Sequence, residues 1–122
     1  MAATANITVS GNFSSLATGS RTVGPNTVTS TNANGQVQQI VLQSGANTIT
    51  CPTTPAPTGC VIVLPSTNTA LTTLKGVTGD TGVSIGKVGT VMLSWDSANA
   101  PASFVLNSAA TQTGLVTEIT FF

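Results

Sequence analysis

Glutamate, lysine and arginine together occur only four times in this 122-residue chain, as Arg21, Lys75, Lys87 and Glu118. These residues normally populate the solvent-facing turns of helices, so no long amphipathic helix can be written onto the sequence. Val, Ile and Thr are abundant instead, and their branched Cβ atoms suit a pleated surface. Short apolar or alternating runs recur between clusters of Gly, Pro, Asn and Ser, which is the pattern of an all-β sandwich or barrel. The predicted fold is an antiparallel β-sandwich or a jelly-roll-like small barrel. It reads as one domain, 1–122, in which 1–34 forms an extended N-terminal arm or long loops, because residues 10–34 are the least apolar stretch.

Strands are predicted near Asn6–Ser10, Arg21–Val23, Thr27–Ser30, Gln36–Gln43, Asn47–Cys51, Cys60–Leu64, Leu71–Val77, Gly82–Ile85, Thr90–Trp95, Ser103–Leu106 and Leu115–Phe121. Asn34-Gly35 is a strong hairpin signal, since both residues tolerate positive φ. Ser44-Gly45, Gly79-Asp80 and Gly24-Pro25 also punctuate the chain. The period-2 rule puts Ile40 and Leu42 on one face of their strand and Gln39, Val41 and Gln43 on the other. In the last strand it sets Leu115, Thr117, Ile119 and Phe121 against Val116, Glu118, Thr120 and Phe122. The terminal pair Phe121-Phe122 is then either a core plug or an intersubunit contact.

Charge bounds the function. Adding Asp80 and Asp96 brings the charged residues to 5% of the chain, with zero net charge and no His, against roughly 25% in ordinary soluble domains. Ser, Thr and Asn, 44 residues in all, take the polar positions. Solubility usually rests on net charge, so such a surface repels its neighbours weakly and belongs in an assembly. Three scattered cations cannot neutralise a phosphate backbone or hold an anionic membrane surface, and no apolar run approaches the roughly 20 residues of a bilayer span. The expected partners therefore include no nucleic acid and no membrane. The N-terminal residues have neither the basic region nor the apolar core of a signal peptide, so the chain is expected to stay in the cytoplasm where it is made until something carries it out.

The titratable inventory is two Asp, one Glu and two Cys. Without an imidazole, the Ser-His-Asp and Cys-His schemes are closed within one chain, and neither nucleotide-binding glycine motif is present. The reading is no enzyme, no cofactor and no metal. Asp80-Thr81-Gly82 matches the tripeptide of aspartic proteases, but Thr78-Gly79 precede it where that family has an apolar strand. Asp80 is better read as a turn residue accepting backbone N–H bonds. Asp96 and Asn99 together offer one carboxylate, too few for Ca²⁺, and read as an Asx-type turn. Trp95, ending an apolar run, reads as core packing. Cys51 and Cys60 bracket the proline-rich stretch 52–59 at two predicted strand ends. Two readings stay open: a disulfide closing that loop, or two reduced, half-buried thiols.

The C-terminal half resembles small structural proteins of tailed bacteriophages. Leu74-Lys-Gly-Val-Thr-Gly-Asp-Thr-Gly-Val83, Thr90-Val-Met-Leu-Ser94, Ser103-Phe-Val-Leu-Asn-Ser108 and Gly114-Leu-Val-Thr-Glu-Ile119 carry the likeness as a pattern of strands and turns. The resemblance implies a virion role: a decoration (cement) protein on the capsid surface, or a tail, neck or fibre component. It further implies a homotrimer whose partner is the major capsid protein. A host-surface or carbohydrate-binding β module is the alternative from another class.

Overall fold

The computed structural model describes residues 3–16, 19–32 and 36–122. The chain divides into two compact units, Met1–Asn34 and Gly35–Phe122.

The first unit is a two-stranded antiparallel ribbon, β1 (Ala3–Leu16) paired with β2 (Gly19–Asn32). The strands expected near Asn6–Ser10, Arg21–Val23 and Thr27–Ser30 fall within these two, which run well beyond them. What the stretch lacks in apolar content it makes up locally. Register pairs Asn6 with Thr29 and Thr8 with Thr27 on one face. The Thr29 hydroxyl donates to Asn6 Oδ1 at 3.0 Å, and the Thr8 and Thr27 hydroxyls bond at 2.9 Å. The opposite face sets Ala5 against Ser30 and Ile7 against Val28. Gly24-Pro25, read as a turn, is a bulge inside β2: pairing slips between Val9↔Asn26 and Gly11↔Val23. Gly24 has φ +76°, and a Cβ there would strike the Val9 carbonyl oxygen, so only glycine suits the bulge. The Asn34-Gly35 turn lies outside the described residues.

The second unit holds eight strands: β3 (Gln36–Ile40), β4 (Gly45–Thr50), β5 (Gly59–Leu64), β6 (Thr72–Lys75), β7 (Val83–Gly86), β8 (Gly89–Ser94), β9 (Ser103–Ser108) and β10 (Thr117–Phe121). They form two four-stranded sheets, β3-β10-β5-β8 and β4-β9-β6-β7, with every neighbour antiparallel. Successive strands mostly alternate between sheets, and this order is that of a jelly roll, two Greek keys wound together.

Alternation explains the core. Ile49 and Cys51, Cys60-x-Ile62-x-Leu64, Phe104-x-Leu106 and Ile119-x-Phe121 point inward and are buried in one cluster, joined by Leu42. The last strand follows the expected faces, with Thr117, Ile119 and Phe121 buried. Phe122 breaks parity. Its backbone leaves the strand, and its ring lies against Gly59. The Phe122 N–H donates to Gly59 O at 3.1 Å, and Phe122 O accepts from Thr58 N at 2.6 Å and Gly59 N at 3.2 Å. Phe121 and Phe122 are 1% and 2% exposed, so they plug this chain's own core and leave no surface for an intersubunit contact.

Phe122→Ala is expected to cost about 3–5 kcal/mol in urea unfolding, as a buried aromatic truncated beside well-packed neighbours. Val77→Ala, on an exposed loop, should stay within about 0.5 kcal/mol of the parent.

Candidate functional site

The two ends of the sandwich differ. At one end the connections β3–β4, β5–β6, β7–β8 and β9–β10 are laced by buried amide side chains. Asn47 Nδ2 donates to Gln43 O (2.9 Å) and Leu106 O (3.0 Å), and its Oδ1 accepts from Gln43 N (2.9 Å). Asn68 Nδ2 donates to Ala70 O (2.8 Å) and Lys87 O (2.6 Å), tying two connections together. Gln112 Nε2 donates to Ser108 Oγ at 3.0 Å. Each bond satisfies backbone or side-chain groups that burial has taken from water.

The other end, made by connections 51–58, 76–82 and 95–102, is open. Between β6–β7 and the end of β8 lies a cleft of about 570 Å³. Leu74, Leu93, Phe104, Pro101 and the Trp95 ring supply apolar walls, and Lys75 and Asp80 stand among its polar lining. Trp95 is half-buried against the core, and its Nε1–H donates to Pro57 O at 2.7 Å. The indole is thus both core and wall, held in one orientation. Asp80 sits in the exposed turn between β6 and β7, where Oδ2 accepts from Gly76 N (3.0 Å) and Val77 N (2.9 Å). It is the turn residue the sequence predicted. Asp96 accepts from Ala98 N (3.1 Å) and Asn99 Nδ2 (3.0 Å) at the start of a 3-10 turn, Ser97–Asn99.

The sheet faces also differ. Outward positions of β4-β9-β6-β7 carry Thr48, Thr50, Ser103, Thr73 and Ser84, a hydroxyl-rich surface. Outward positions of β3-β10-β5-β8 carry Val37, Val61, Val63 and Met92 around Thr120. Val37 and Val63 are 56% and 42% exposed. The charge nearest this patch, Glu118, lies opposite Val63 and accepts from Gln39 Nε2 at 3.2 Å. Sequence alternation picked out these outward residues strand by strand. That they lie side by side follows only from the sheet order.

Cys51 and Cys60 are both free and buried. Burial pushes both thiols up; Cys60 is raised to about 12, by burial first and then by the charge of Cys51. Comparison with protein-family models, curated proteins and solved structures returned no significant match.

The Cys60 shift predicts alkaline sensitivity. Above the ordinary thiol value of 9.0 the unfolded chain ionises while folded Cys60 stays protonated to about 12. The unfolded state then binds fewer protons, so stability falls as pH rises through this window and is untouched by Cys60 below it. Urea midpoints followed upward from pH 9 should decline less steeply in Cys60→Ala than in the parent.

Proposed function

We propose that this chain is a virion structural protein: a capsid decoration protein, homotrimeric, that binds the outer surface formed by the major capsid protein and stabilises contacts between capsid subunits. The observation that carries this reading is the valine-lined outer face of the β3-β10-β5-β8 sheet. An exposed apolar patch rimmed by polar residues marks a protein-contact surface, and this one faces outward from a neutral chain. The jelly-roll order supports the reading, since that architecture recurs in viral capsid proteins and in lectins; because one fold hosts many functions, the surface decides. The ribbon of β1 and β2 supports it too, since a two-stranded pair gains order when laid on another surface. Bridging is the mechanism: each copy adds interface area that must be lost before capsid subunits part.

A Val37→Lys, Val63→Lys double variant should stay close to the parent's thermal midpoint, because both side chains are exposed and the new cation at 63 faces Glu118. It should lose binding to capsid shells stripped of the protein by at least about tenfold in co-sedimentation, as expected when charge enters an apolar contact. Parent-like binding would remove the face from the reading. Hundreds of copies per particle, in proportion to the major capsid protein, mark a decoration protein; roughly six, twelve or a few dozen place the chain in the tail, neck or fibre.

The cleft favours one second reading, a host-surface carbohydrate-binding module. Aromatic rings are common platforms for sugar faces, and Trp95 is pinned along one wall. A glycan array gives the expected outcome of this reading as a hit that disappears in Trp95→Ala.

A further inference from the structure

The two cysteines belong to one core but to different sheets. Cys51 directly follows β4, and its N–H donates to Ala102 O at 2.9 Å, which keeps it in line with the β4-β9-β6-β7 sheet. Cys60 lies in β5 of the other sheet, opposite Phe121 on one side and Leu93 on the other. Both point inward, by the same alternation that buries Ile49 and Ile62, and both belong to one core cluster. Only residues 52–59 separate them, and that stretch crosses from one sheet to the other at the cleft end. Both flanks of the crossing are fixed, one by Cys51 on Ala102, the other by Thr58 and Gly59 on Phe122 O. The thiols therefore share one layer of the sandwich at one end, near enough for the charge of one to be felt by the other.

We propose that Cys51 and Cys60 are a two-electron redox pair, and that a small-molecule disulfide converts them into a disulfide joining the two sheets beside the cleft. The Cys51 sulfur, deprotonated, attacks one sulfur of the small disulfide and expels a thiolate, which takes up the proton Cys51 released. The Cys60 sulfur then attacks Cys51 in this mixed disulfide. Its own proton passes to the second small thiolate as that leaves. Two protein thiols are oxidised, and one small disulfide is reduced to two thiols. Burial makes thiolate scarce and reagent access dependent on local opening of the 52–58 connection, so the conversion is slow. Its setting, though not its chemistry, rests on the virion reading: a chain folded in a reducing cytoplasm and then carried outside meets such an oxidant only after release.

The test uses the purified chain alone, so that its failure says nothing about the capsid. Native protein is incubated with excess oxidised glutathione, then denatured and treated with a maleimide. The expected product is lighter by two hydrogen atoms, takes up no maleimide, yields a cross-linked peptide containing Cys51 and Cys60, and reverts with dithiothreitol. Its thermal midpoint should rise by a few degrees, a modest gain because the closed loop is short. Cys51→Ser and Cys60→Ser should each fail to make the product. Should either variant not fold, the cross-linked peptide from the parent decides alone. Two maleimides on the parent after prolonged incubation, a stable glutathione adduct, or a disulfide between two chains would each overturn the proposal.

Discussion

The meeting of Phe122 with Gly59 organises the open end of the sandwich. Gly59 opens β5, an interior strand, where glycine usually weakens a sheet. Here a Cβ would collide with the Leu93 carbonyl oxygen and with the Phe122 ring. The missing side chain is the space the ring occupies. Phe122 O in turn accepts from Thr58 N, Gly59 N and the Thr58 hydroxyl. This fixes the end of the 51–58 connection, from which Pro57 O holds the Trp95 indole. The chain terminus, the cleft wall and the entry of Cys60 into the core are thus set by one contact. A tyrosine or leucine at position 122 would alter all three, whereas a change at Thr53 or Thr54, exposed in the same connection, would alter none.

The laced and open ends divide labour in a way the energetics explain. Buried Asn47, Asn68 and Gln112 cost desolvation that only near-complete hydrogen bonding offsets. Asn47 and Asn68 meet that condition and tie the connections at this end, while Gln112 donates through Nε2 and leaves its Oε1 buried without a partner. The open end uses apolar walls and two carboxylate-capped turns, at Asp80 and Asp96, so its surface stays accessible. Connections on a protein surface can vary in this way when a rigid scaffold holds their ends. The ladder hydrogen bonds and the laced end supply that scaffold.

Much of this was legible in the sequence, and what was not has definite causes. Alternation of β-branched residues located all eight sandwich strands, because burying one face fixes the register. The turn at Asp80 was legible because a carboxylate three or four residues after free backbone N–H groups has one economical use. Arg21–Val23 and Thr27–Ser30 were legible as strands but far too short, because apolar content is a poor measure of strand length where threonine and asparagine pairs bond across strands. Gly24-Pro25 misled because bulge and turn share the same residues. Phe122 could not be assigned by parity once the strand ended beneath it. The valine face and the cleft were beyond any linear reading, since Val37 and Val61 come to flank Thr120 only when β10 runs between β3 and β5.

The shortage of charge then bears on how such a surface can act. Electrostatic steering accelerates association by focusing opposite potentials, and six charges of zero net sign provide no such field. Encounter is left near the unsteered range of roughly 10⁵–10⁶ M⁻¹s⁻¹. Under the proposed virion role, affinity then comes from slow dissociation, through close apolar packing across Val37, Val61 and Val63 and through many copies acting together. Such contacts lose little when ionic strength changes, because screening acts on charges and there are few to screen. A surface of this kind is poor at finding a rare partner quickly. It is well suited to one that presents the same site many times over, at high local density, and need never let go.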